Sequence, residues 1–324
     1  MTRRRLGLAF RLAVAVGLTA LIFWQADPAQ VWDAARRAHP LPLAATVALV
    51  LLDRALMGWR WLVLLRPLSG AAHLSAWPIL RIFFVSTFVG TFLPGVGADA
   101  VRAWGLAREQ VPPAAAVASV FMDRVLGVFS VLVMGGVGLL LASDLAGDPS
   151  ILLALAVAAF VCLVTWVLVF SDRASRLGRV LLARLPWGRA TRAGGALLAA
   201  LQSYGPARRE MLQVSVASVA VQVLRILQAY LLGRALGIDA GLAVYFAFVP
   251  LVLLVILVPV SVSGLGTGQL AFVWLFGRVG VNAADAFALS ILFVGLGVVG
   301  NLPGALLYLR GGTAGQQAPT GVSG

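Results

Sequence analysis

The chain of 324 residues has no lysine, one cysteine and two histidines, and only 11% of it is charged. Each shortage excludes something. Soluble domains carry about 25% charged residues, so a chain this poor in charge and 61% hydrophobic is not a soluble globular protein. The single cysteine, Cys162, lies inside an apolar run and leaves no internal disulfide to form. His39 and His73 stand far from each other and from Cys162, so no zinc-type spacing exists and neither a metal nor a cofactor is expected. No nucleophile–base pair, D-x-D, Walker motif or H-E-x-x-H is present. A general base or a metal centre needs such groups close together, so no catalytic residues are assigned and an enzyme is not favoured.

With no lysine, all 25 basic residues are arginine, set against 12 acidic ones for a net charge of +13. In a soluble protein that excess would point to nucleic acid. In an apolar chain it points to loops that orient the protein and touch anionic lipid heads, so membrane lipids, and not nucleic acid, are the expected partners.

What the chain has in quantity is long apolar runs. About 20 apolar residues cross a bilayer as a helix. Leu6 to Trp24 is the first candidate; it follows MTRRR and reads as a signal anchor, since Phe23-Trp24-Gln25 lacks the small residues of a cleavage site. Further spans are expected at Leu41 to Leu65, Ala114 to Leu141, Ile151 to Phe170, Met211 to Leu232 and Ala286 to Leu309. Two runs are shorter and broken. Ile79 to Leu93 ends in Pro94-Gly95, and Tyr245 to Val258 ends in Pro259 and then SVSGLGTG. Pro ends helices and Gly permits turns. The expected fold is therefore all-α: a polytopic membrane helix bundle of about seven to eight transmembrane elements, with two re-entrant or broken-helix hairpins. It forms one integral membrane domain over residues 1–310, and residues 311–324 read as a disordered tail.

Arginine bias sets an orientation. Eight arginines between residues 171 and 210 face only Asp172 and Glu210, so this loop and the N-terminus are expected in the cytoplasm, at the cell membrane. A topogenic loop is the favoured reading of 171–210, with an amphipathic surface helix as the alternative. This orientation is consistent if the first broken hairpin enters and leaves on the cytoplasmic side and the second enters from outside. The units would then be inverted repeats, with halves 41–141 and 211–309. At an offset of 170, VPPAAAVASVFMDRVLG (111–127) lies beside VNAADAFALSILFVGLG (281–297), and Asp99 lies beside Gln269.

Charges inside spans are costly and are functional candidates by default. Asp53 and Arg54 fall mid-span, and Arg60 shares the face of Asp53 two turns on. Asp123 and Arg124 sit in the Ala114–Leu141 run, and Arg225 sits between Gln222 and Gln228. For Asp53, Arg54 and Asp123, ion pairs that merely hold the bundle and a functional role are both open. Arg60 and Arg66 are expected to snorkel to the inner interface. The breaks are more informative: after Pro94 and Gly95, a new helix near Ala98 would present free N–H groups and a positive dipole end at membrane depth. Transporters use such half-helix ends as anion sites. The candidate headgroup site comprises Pro94, Gly95, Gly97, Asp99, Arg102, Asp123, Arg124 and Arg225 with Gly264, Gly266, Gly268 and Gln269. Glycines for close helix packing are the competing reading of both breaks.

At these residues the chain resembles the membrane domain of lysylphosphatidylglycerol synthases and their stand-alone, flippase-like relatives, over roughly residues 6–310. Leu93-Pro94-Gly95, Gly97-Ala98-Asp99 and Arg102 are similar to the family's first motif, with Ala98 in place of a second Gly. MDRVLG, with Asp123, Arg124 and Gly127, resembles the next, and GWRWLVLL around Arg60 resembles a helix end. SGLGTGQ and Leu302-Pro303-Gly304 resemble the C-terminal signature, where Gln269 replaces a common Glu. The resemblance implies lipid handling: a flippase or transporter for an anionic phospholipid or a polyprenyl-phosphate-linked lipid. The alternatives are a membrane-embedded transferase acting on a lipid carrier, and a non-transporting partner of a lipid-modifying enzyme.

Overall fold

A computed structural model describes residues 36, 39–71, 73–93, 97–141, 149–171, 173, 176, 177, 180, 188–257 and 267–310. The span expected at Leu6–Trp24, the break residues Pro94, Gly95, Pro259, Gly264 and Gly266, and the tail 311–324 lie outside the described residues.

Every regular element among the described residues is helical. In chain order these are α1 (Pro40–Leu65), α2 (Ala76–Gly90), α3 (Gly97–Arg108), α4 (Pro113–Leu141), α5 (Pro149–Phe170) and α6 (Gly188–Gln202). They are followed by α7 (Arg208–Ala235), α8 (Leu242–Leu257), α9 (Thr267–Gly277), α10 (Ala283–Val299) and α11 (Leu302–Arg310). A single 3₁₀ turn at Ser69–Ala71 follows α1. Among the described residues, α1, α4, α7 and the combined run Ala283–Leu309 are long and apolar enough to cross a membrane. Each has 26 to 29 residues, or about 40 Å at 1.5 Å per residue. Helix α5 adds 22 residues without a charge.

The two runs read as broken are helical hairpins. Helices α2 and α3 have 15 and 12 residues, and α8 and α9 have 16 and 11. At roughly 16–24 Å each, none reaches across a hydrocarbon core of about 30 Å. Helices α2 and α3 run antiparallel and very close: a Cβ on Gly90 would lie 2.1 Å from the Cβ of Ala98, and one on Gly105 would lie 2.7 Å from Ile82. Helix α9 folds back on α8 likewise, with Gly268 against Ile256 and Phe276 packed edge-on to Tyr245 and Phe248.

The offset of 170 extends beyond sequence to local geometry. Helices α4 and α10 begin at residues 113 and 283, and α1 and α7 end at 65 and 235. Both short helices close with the same C-terminal motif. Gln110 (φ 63°) and Gly280 (φ 81°) take the left-handed conformation. Val111 N–H then donates to Leu106 O at 3.1 Å, as Val281 N–H donates to Phe276 O at 3.2 Å. An i, i+4 stack follows the offset too: the Arg108 guanidinium lies 4.4 Å from the ring centre of Trp104, and that of Arg278 lies 4.0 Å from Trp274.

Helices α1 and α7 pack along their length and run antiparallel: Ala235 O accepts from His39 N–H, Leu49 O from Gln228, and Ser218 Oγ from Arg60. The outer helices exchange partners in a matching way. Gly138 of α4 abuts the backbone of Phe246 and Ala247 on α8, and Gly304 of α11 abuts the carbonyl of Phe84 on α2. A Cβ at either glycine would fall within 2.6 Å of backbone, which is why the helices approach there.

Apolar burial concentrates at the two ends of the bundle. One cluster gathers Trp61, Leu65, Phe83, Ala115, Tyr204 and Met211; the other gathers Met134, Ile226, Phe248, Phe272 and Leu289. Helix α6 packs on α4 and α5 and supplies Leu201 to the first cluster, so residues 188–202 of the expected loop form a helix docked on the bundle. The last span differs from expectation. It is interrupted by a turn at Gly300–Asn301, because Pro303 has no N–H to continue the ladder. A side chain at Gly300 would also meet Val50 at 2.4 Å.

Candidate functional site

Three carboxylates and five guanidiniums on α1, α3, α4 and α7 form three groups. Asp53, at the middle of α1, accepts from Arg54 Nη1 at 3.1 Å through Oδ2 and from Arg225 Nε of α7 at 3.3 Å through Oδ1. Arg54 also donates to the carbonyl of Gly297 on α10 at 3.3 Å. Helix α1 is amphipathic enough to set this up: Thr46, Val50, Asp53 and Arg60 are all buried. One stripe at helical spacing thus carries the charges into the bundle.

Asp123 of α4 holds the second group. Its Oδ1 accepts from Arg60 Nη2 at 2.5 Å and its Oδ2 from Arg102 Nη1 at 2.9 Å. All three side chains are more than nine-tenths buried. Arg60 also donates to Ser218 Oγ at 3.0 Å. The guanidinium of Arg102 lies 4.8 Å from the ring centre of Phe83 and 5.1 Å from that of Trp61, where the ring faces favour a cation. The third group is Asp99 with Arg124, joined at 2.7 Å. Asp99 sits in the first turn of α3, where the helix dipole favours a carboxylate, and Arg124 is the most exposed cation of the five.

Charge does not balance. Asp53 and Asp123 each serve two arginines, whereas Asp99 serves one. The groups therefore carry an excess of two positive charges. Several buried donors beside them have no acceptor among the described residues: Arg54 Nε, Arg60 Nε, Trp61 Nε1 and the Tyr204 hydroxyl. Tyr204 lies in the turn between α6 and α7. Burial, and then the charge of Asp123, push its phenol far above the usual range.

Five sequence-predicted site residues meet in ion pairs: Asp99 with Arg124, Arg102 with Asp123, and Arg225 with Asp53, a residue outside the candidate headgroup site. Gln269 is buried in the first turn of α9, at the place Asp99 holds in α3. Gly97 and Gly268 pack tightly, the first against Leu93 and the second against Ile256. Arg60 corrects an expectation: it does not snorkel to an interface but lies buried on Asp123. The seven-residue spacing from Asp53 placed it on the inward face; its partner lies 63 residues away and has no local signal.

The second half lacks this charge. At the offset of 170, Arg60, Arg102 and Asp123 correspond to Tyr230, Phe272 and Phe293. Phe272 and Phe293 pack with ring centres 5.6 Å apart, so aromatic contacts stand where the first half has ion pairs.

A bundle of long apolar helices, with two short hairpins and ionised groups between its ends, defines a multi-pass helical membrane protein. The model of the lysylphosphatidylglycerol synthase transmembrane region matches residues 8–304. The chain belongs to that family, and its role is accordingly tied to membrane lipid. No curated protein and no solved structure matches the chain.

Proposed function

We propose that the protein is a lipid flippase or transporter that moves an anionic phospholipid or a polyprenyl-phosphate-linked lipid between leaflets. The observation that carries this reading is the surplus of guanidinium over carboxylate in the middle of the bundle. Buried charge is costly, and an uncompensated surplus is a standing demand for an anion. Arginine's planar fork suits a phosphate, while lipid tails stay in the bilayer.

In this reading each short hairpin is re-entrant, and the halves are inverted repeats. The antiparallel α1–α7 pairing and the common offset support that arrangement. Trp104–Arg108 and Trp274–Arg278, each at the C-terminal end of its short helix, are the residue types that settle at membrane–water interfaces. With those ends at opposite interfaces, 11 or 12 helical residues reach roughly 16–18 Å inward, so Gly97 and Thr267 stand near the midplane, where alternating access needs its site. The arginine-rich stretch 171–210 faces the cytoplasm, and the α2–α3 hairpin enters from that side.

The test is leaflet exchange of headgroup-labelled lipid in liposomes holding the purified protein. Protein-dependent exchange of phosphatidylglycerol or of an isoprenoid phosphate supports the reading. No exchange of any anionic or isoprenoid lipid overturns it.

A further inference from the structure

We propose that the Asp53 and Asp123 groups are two successive stations on one path, each taking the single negative charge of a phosphodiester headgroup. This rests on the transport reading and adds the number, place and charge of the sites. Each group has two arginines on one carboxylate and so an excess of one cation. Each also holds a buried N–H with no acceptor among the described residues: Arg54 Nε at the first, and Arg60 Nε with Trp61 Nε1 at the second. Arg60 as a whole is only 4% exposed, so nothing in bulk solvent neutralises it.

The stations are stacked. Asp53 and Arg60 are seven residues apart on one face of α1, which is about 10 Å along the helix axis. Arg225 and Ser218 repeat that spacing on α7. Because α1 crosses the membrane, the step runs along its normal. The two also differ in access: the Arg54 and Arg225 side chains are 16% and 23% exposed, against 5% and 7% for Arg60 and Arg102. The Asp53 station is open and the Asp123 station closed, so a headgroup at the second is occluded.

The experiment counts bound lipid by native mass spectrometry of the full chain in detergent, with dihexanoyl phosphatidylglycerol and inorganic phosphate as separate probes. Wild type should hold up to two phosphatidylglycerols, R54Q and R60Q one each, and the double variant none. D53N works in the opposite direction: it raises the surplus at its station, and phosphatidylglycerol should bind more tightly and raise thermal stability more than in wild type. A purely structural ion pair predicts the reverse for D53N, so this variant stays decisive should R54Q or R60Q fold poorly. Unchanged occupancy in both arginine variants overturns the stations. Binding of inorganic phosphate without phosphatidylglycerol overturns the lipid assignment. Exchange in liposomes with unchanged occupancy defeats the stations alone; altered occupancy without exchange of any lipid defeats the transport reading alone.

Discussion

Asp123→Asn exposes the logic of the buried charges. The substitution keeps shape and removes one negative charge, leaving Arg60 and Arg102 facing each other beside a neutral amide. Both guanidiniums are more than nine-tenths buried. Taking one partner from a buried pair costs about 3–5 kcal/mol. Arg60→Gln is milder, because Asp123 and Arg102 remain as a neutral couple at 2.9 Å. Its cost is that of charge-assisted bonds lost, about 1.5–3 kcal/mol, offset in part by relief from a like charge. D123N should therefore destabilise more than R60Q, by about 2 kcal/mol from these two ranges. The assay is equilibrium unfolding in mixed dodecylmaltoside and dodecyl sulfate micelles, followed by the fluorescence of the nine tryptophans. A cost below about 1 kcal/mol for D123N, the ordinary worth of a solvated pair, would refute the buried network. A larger cost for R60Q than for D123N would refute the charge surplus.

Other outcomes follow from packing and placement. Gly304→Val drives a Cβ to within 2.1 Å of the Phe84 carbonyl and Gly138→Val to within 2.6 Å of Ala247, so each should cost about 1–3 kcal/mol or more in the same unfolding assay. Gly127→Ala meets nothing within 4 Å and should stabilise α4 by about 0.5–1 kcal/mol. Tyr204→Phe removes a buried hydroxyl without a partner. It should leave unfolding unchanged or raise stability by about 1 kcal/mol, and a loss beyond 1 kcal/mol would show that the hydroxyl is satisfied. In a Cys162→Ala background, cysteine at position 108 should react with an impermeant maleimide only from the cytoplasmic face, and cysteine at 278 only from the other. Labelling of both from one face would refute the inverted arrangement.

Much of this was legible in the sequence because hydrophobic runs and breakers act locally. The expected spans 41–65, 114–141 and 151–170 match α1, α4 and α5 to within two residues at either end. The new helix expected near Ala98 is described over Gly97–Arg108. The stretches 111–127 and 281–297 hold the starts of α4 and α10, at residues 113 and 283. The Trp104–Arg108 and Trp274–Arg278 stacks carry the same offset and were readable in the same alignment. What could not be read is pairing. Asp53 meets Arg225 across 172 residues and Asp123 meets Arg60 across 63, choices made by helix packing alone. The break at Gly300–Asn301 was passed over because hydropathy continues through it, although Pro303, which cannot continue the ladder, stands in the sequence.

The direction of the long helices fixes a role for the segment joining the halves. Helices α4 and α7 run parallel: Ala116 and Met211 share one apolar cluster, Met134 and Ile226 the other, with Ser130 bonded to Gln222 between them. A chain leaving α4 at one end must be carried back before α7 can start, and α5 is that return. The matter is one of parity. A half made of two long helices and a folded-back hairpin ends on the face where it began, so a copy joined to it directly would point the same way. In the inverted arrangement proposed above, α5 is the added crossing that turns the second half over. Helix α5 carries no charge of its own, yet on that arrangement its count of one is what lets α1 and α7 run in opposite directions and Asp53 meet Arg225.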